Sequence, residues 1–192
     1  MLTLYIDFKS PAAYLAIAPT LALADRCGLT IDWKPFRAIE RDVPKLGKEE
    51  TVGESHRRVR AASQRALAAK YAAHQGIELR FPPQPGSTDL ALGVLVGIEG
   101  DPLPFIRGAF NAYWEAHANL DDMAVVHALL IESNVTYTGS LSDARSVLDA
   151  AQAQAEEAGI VGVPGYVIDE QLFVGREHLP WIEEIARAKA EA

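Results

Sequence analysis

Ser10 is the residue in this chain best placed to do chemistry. It stands between Leu2-Thr3-Leu4-Tyr5-Ile6-Asp7-Phe8, a run of β-formers with an apolar centre, and a segment opened by Pro11. Serine followed by proline marks a helix start, because the hydroxyl accepts from amides of the first turn and proline at the first helical position gives up no bond. Ser10 is thus expected at the positive end of a helix. There, unpaired N–H groups and aligned peptide dipoles stabilise an anion, and a thiol brought to them ionises more readily. Most such pairs are only caps, so the far end of the chain matters. Gly159 to Asp169, holding Gly162-Val163-Pro164-Gly165, followed by Glu170 to Gly175, reads as a Val-Pro bend entering a β-hairpin and then a last helix.

Other chemistry is sparse. Cys27 is the one cysteine, which rules out an internal disulfide and a cysteine metal cluster. His56, His74, His117 and His127 fall in segments read as helical and form no ligand pattern with a carboxylate, so no metal is expected. Walker-type and dinucleotide-binding glycine motifs are absent. A serine without a histidine or carboxylate at motif spacing is a poor candidate for an acylated nucleophile.

The elements that must position Ser10 follow from the pattern. From Pro11 to Cys27 apolar residues recur at three and four, and Gly28 closes the helix. Leu29 to Phe36 alternates as a strand, making with the first strand a βαβ unit whose strands should be parallel. Arg37 to Glu50 is polar and reads as a loop over the site. Helices are expected over Glu54 to Gln75, Asp89 to Glu99, Pro104 to His117 and Asp121 to Ser133, the last capped by Asp121 or Asp122. The arginines and Lys70 of the first of these read as a solvated face. Ser140-Leu141-Ser142-Asp143 has capping-box spacing and should start another helix ending at Gly159. The architecture predicted is α/β: a single thioredoxin-like domain over 1–192, βαβ and ββα, with a helical insertion from about residue 40 to about residue 135.

The stretch Asp7-Phe8-Lys9-Ser10-Pro11-Ala12-Ala13-Tyr14-Leu15-Ala16, with Phe110-Asn111-Ala112-Tyr113-Trp114, Gly162-Val163-Pro164 and Gly175-Arg176-Glu177-His178-Leu179, resembles the 2-hydroxychromene-2-carboxylate isomerase family. That family lies in the DsbA-like thioredoxin superfamily beside the kappa-class glutathione transferases. The resemblance implies glutathione as cofactor, with its thiolate receiving a hydrogen bond from Ser10 as the catalytic residue. It implies that Val163, before a cis Pro164, offers its backbone to the cysteinyl part, while Glu177 receives the γ-glutamyl ammonium with Arg176 beside it. It also implies a conjugated aromatic acid as substrate, for which Phe36, Phe110, Tyr113 and Trp114 are candidate walls, and a homodimer as in many relatives. The chain departs from the family pattern at Ser87, Arg176 and His178. Kappa-like glutathione transfer and a non-catalytic binding module are the alternative readings. The two cysteines of DsbA-type oxidoreductases are Ser10 and Ala13 here, which excludes their dithiol exchange.

Composition limits partners and location. At 192 residues and 49% hydrophobic, the chain is long enough to bury a sizeable core. Its net charge of −8, from 18 basic and 26 acidic residues, argues against a nucleic-acid binder. No secretion signal precedes the first strand and no apolar run is long enough to span a bilayer, so a cytoplasmic location is expected.

Overall fold

The computed structural model describes residues 1–38 and 51–190. The chain divides into two compact units, Met1–Ala38 with Arg80–Ala192, and Ile39–Leu79. The first unit holds a four-stranded sheet. Strand β1 (Leu2–Ile6) leads into helix α1 (Pro11–Cys27) and strand β2 (Ile31–Pro35), and β1 and β2 pair in parallel as the βαβ reading requires.

Helix α2 (Val52–Gln75) lies in the second unit. It starts earlier than expected because Thr51 and Glu54 form a reciprocal capping box, with the Thr51 Oγ accepting from the Glu54 N–H and the Glu54 carboxylate accepting from the Thr51 N–H. Arg57, Arg60, Arg65 and Lys70 along it are exposed.

The first unit continues with α3 (Asp89–Val96), a two-residue strand β3 (Ile98–Glu99), α4 (Leu103–Trp114), α5 (Met123–Ser133), β4 (Thr136–Tyr137) and α6 (Ala144–Glu157). Hairpin strands β5 (Gly165–Ile168) and β6 (Gln171–Val174), a 3₁₀ turn (Arg176–His178) and α7 (Leu179–Ala190) complete it. The sheet order is β2-β1-β5-β6, so the two chain ends build one sheet around β1. The hairpin turn places Asp169 and Glu170 both at positive φ, the twist that suits a two-residue connection.

Two expectations are corrected. The helix from Asp89 stops at Val96 rather than Glu99, since Ile98–Glu99 pairs antiparallel with Thr136–Tyr137. Ser140 does not cap α6. Its hydroxyl is engaged by the Ser142 side chain and N–H, and the helix begins at Ala144 with no side-chain cap.

Burial follows the alternation of β1: Leu2, Leu4 and Ile6 are fully buried on the face carrying α1 and α7. Tyr166 of β5, directly opposite Leu4, is fully buried there, and its hydroxyl is in hydrogen-bond contact with Thr20 of α1 at 3.1 Å. Burial pushes this phenol up to about 12. Phe36, Ala155 and Ile160 form a separate cluster, with Tyr5, Val163 and Val167 packed against it. Helices α3 and α6 pack together closely enough that Gly93 leaves no room for a side chain beside the Ala144 carbonyl.

Candidate active site

Strand register decides which residues share an end of the sheet. Parallel β2 ends beside β1, with the Phe36 N–H donating to the Ile6 carbonyl at 2.9 Å. Antiparallel β5 begins where β1 ends, Gly165 opposite Tyr5, and β6 ends opposite the start of β5, Val174 opposite Gly165. The Gly175 N–H donates to the Pro164 carbonyl at 2.9 Å. Ser10, Phe36, Val163, Pro164, Arg176 and Glu177 therefore all emerge at the carboxyl end of β1.

Ser10 is the N-cap of α1. Its Oγ accepts from the Ala13 N–H at 3.2 Å, and its backbone N–H donates to the Asp7 carbonyl at 3.0 Å. The hydroxyl hydrogen has no acceptor among the described residues, and neither does the first-turn N–H of Ala12. Two donors thus remain at the positive end of a 17-residue helix.

The turn that carries Ser10 is held by Asp7, whose importance its sequence neighbours did not signal. Asp7 is fully buried, with Oδ1 accepting from the Thr88 hydroxyl at 2.8 Å and the Lys9 N–H at 3.1 Å, and Oδ2 accepting from the Ala38 N–H at 2.8 Å. Burial raises the Asp7 pKa, while the hydrogen bonds and the nearby Lys9 oppose that rise. Thr88 is the residue before α3 and would ordinarily cap it. Its hydroxyl is committed to Asp7, and Ser87 instead accepts from the Asp89 N–H at 3.2 Å. From the other side, the Trp114 indole N–H donates to the Phe8 carbonyl at 2.9 Å.

The Val163–Pro164 bond is cis, as the motif led one to expect. The Val163 N–H and C=O form no hydrogen bond among the described residues. Gly175 has φ +102, and a side chain at that position would collide with the Glu177 carboxylate, which folds back over it. Arg176 is half-buried and Glu177 exposed; the charges of both are felt at the Tyr166 phenol. His178 lies against Phe173, ring centroids 5.7 Å apart.

The four proposed aromatic walls are placed differently from expectation. Phe110, Tyr113 and Trp114 are at most 3% exposed, and Phe110 packs edge-on to Phe8 at 5.1 Å, Trp114 edge-on to Tyr113 at 5.2 Å. Their rings are committed to one another and to the β1–α1 turn, so they support that turn from behind and offer no open face. Phe36 is 2% exposed within its own cluster and does not join them. Helical spacing of aromatics signalled core here. His117 lies beyond α4 at positive φ, its ring bonded to the Arg80 carbonyl, rather than in a helix. The polar loop expected over the site lies mostly outside the described residues.

Among the described residues no helix is long and apolar enough to cross a membrane. Residues 1–185 match the DSBA-like thioredoxin domain family model. The chain is 25% identical to the 2-hydroxychromene-2-carboxylate isomerase of Sphingobium xenophagum, over 93% of this chain and 94% of that protein. It is 28% identical to the Pseudomonas putida protein of the same name, over 93% of this chain and 90% of that one. A solved structure of a 2-hydroxychromene-2-carboxylate isomerase superposes with a TM-score of 0.69 at 20% identity, covering 99% of this chain and 98% of the other. With the sheet order, the Ser10 cap and the cis Val163–Pro164 bond already described, these matches place the chain in the DSBA-like thioredoxin domain family, where it is similar to the 2-hydroxychromene-2-carboxylate isomerases.

Proposed function

We propose that this protein is a glutathione-dependent isomerase acting on a conjugated aromatic acid of the 2-hydroxychromene-2-carboxylate type. The observation that carries the reading is Ser10: a helix N-cap whose hydroxyl hydrogen is uncommitted, at a site with no sulfur of its own. The residues present fit glutathione. The open N–H and C=O of Val163 suit the β-like pairing of a short peptide, and the Glu177 carboxylate suits its ammonium. When bound, glutathione supplies the thiolate that adds to the conjugated system, frees the double bond to rotate, and leaves again. Ser10 donates its hydroxyl hydrogen toward the sulfur, the Ala12 N–H and the α1 dipole favour negative charge there, and Asp7 keeps the turn in place. Names of relatives at 25% and 28% identity support the isomerase class.

The test is ultraviolet absorbance of the bound thiolate against pH. Loss of one hydrogen bond to a charged group predicts that Ser10→Ala raises the thiol pKa of bound glutathione by on the order of one to two units. Superimposable titration curves, with glutathione bound in both proteins, would leave Ser10 as a helix cap alone.

A further inference from the structure

Tyr14 and Asn111 form a polar pair that the reading above does not use. Tyr14 lies one turn beyond Ser10, its N–H donating to the Ser10 carbonyl at 3.1 Å, so both side chains leave the same side of α1. Side chains on a helix lean toward its N-terminus, which inclines the Tyr14 ring back toward Ser10. That ring is stacked on Phe110, centroids 4.9 Å apart and planes 8° apart, and Phe110 in turn meets Phe8 of the β1–α1 turn. The phenol is 8% exposed, and its hydroxyl donates to the Asn111 Oδ1 at 2.8 Å.

This contact orients the asparagine. With Oδ1 fixed by the Tyr14 hydroxyl, Asn111 has two Nδ2 hydrogens to offer. They bond to nothing among the described residues, and Asn111 is exposed. An exposed asparagine ordinarily loses side-chain freedom when it binds a ligand. Here the Tyr14 stack has already restricted it, so less freedom is lost on binding. A fixed pair of donors favours an anionic or carbonyl oxygen as its partner.

We propose that Asn111, oriented by Tyr14, receives the carboxylate of the aromatic acid beside Ser10 and is a specificity residue for that acid. This rests on the Ser10 reading for the location of the acid, but the binding step can be measured without glutathione. Asn111 touches the acid directly; Tyr14 acts through Asn111 as a positioning residue. A merely structural bridge between α1 and α4 would alter stability without distinguishing a carboxylate from its ester.

The experiment is calorimetric titration of cinnamate and methyl cinnamate into the wild type, Asn111→Leu and Tyr14→Phe, with and without glutathione. The wild type is expected to prefer the acid over the ester. Asn111→Leu should weaken cinnamate about ten- to a hundredfold, the equivalent of one hydrogen bond to a charged group, and weaken methyl cinnamate, whose carbonyl is an uncharged acceptor, by clearly less. Tyr14→Phe, which keeps the stack and removes the hydroxyl, should weaken cinnamate in the same direction by less. No acid preference in the wild type, unchanged cinnamate affinity in Asn111→Leu, or equal losses for acid and ester would each overturn the proposal. Acid preference that depends on Asn111 in a protein that binds no glutathione would uphold it and instead refute the glutathione-dependent function.

Discussion

Replacing Thr88 by valine removes one hydroxyl from a buried site while keeping nearly the same shape. The hydroxyl donates at 2.8 Å to a carboxylate that has no exposure to water, so solvent has no ready access to replace the bond. A hydrogen bond to a charged group contributes roughly 1.5–3 kcal/mol, and Thr88→Val should destabilise the fold at neutral pH by about that amount. For a chain of this size that corresponds to a fall in Tm of roughly 3–12 °C. The loss should depend on pH with a definite sign. Burial raises the Asp7 pKa above 3.8 and the Thr88 hydroxyl lowers it, so in Thr88→Val the value stands higher still. The wild-type advantage is therefore complete above the variant's Asp7 pKa. It shrinks as pH falls through the two values, because a protonated Asp7 is a weaker acceptor. Urea unfolding at a series of pH values measures both features. A variant within 0.5 kcal/mol of wild type at neutral pH, or a loss that is the same at every pH, refutes the assignment of Asp7 as a buried carboxylate held by Thr88.

Two further outcomes follow from packing and surface charge. Gly93→Ala should destabilise the protein by ~3 kcal/mol or more, because the new methyl would occupy the space of the Ala144 backbone where α3 meets α6; thermal unfolding of the purified variant checks this. At the α1–α7 surface, hydrogen bonds from Arg26 and Arg187 hold the Glu183 carboxyl down at about 2. Its folded pKa is depressed, so its contribution is present above the usual glutamate range and is lost as pH falls toward 2. The acid-unfolding curves of wild type and Glu183→Gln should differ at pH 5 and converge near pH 2.

Local signals settled those parts of the fold that depend on neighbours in sequence. The ends of α1 were legible because Ser10 and Pro11 open it and Gly28, at φ +62, closes it. The βαβ order, the hairpin after Val163–Pro164 and the Ser10 cap were legible for the same reason: each is encoded within about ten residues by turn chemistry and alternation. What contacts between distant residues decide was hidden. Asp7 looked like the last polar residue of a strand, yet its partner Thr88 is 81 positions away, and no local pattern announces that a cap residue will give its hydroxyl to another element. Thr136–Tyr137 could end α3 at Val96 only once the chain had folded back on itself. Phe110, Tyr113 and Trp114 carry the same periodicity whether they face a ligand or a core, and packing against Phe8 and Tyr14 put them inside. Sequence alone determined that a hydrogen-bond donor stands at a helix start with no sulfur beside it. The tertiary structure decided what holds that donor in place, because a buried carboxylate and a ring stack draw their partners from strands and helices far apart along the chain.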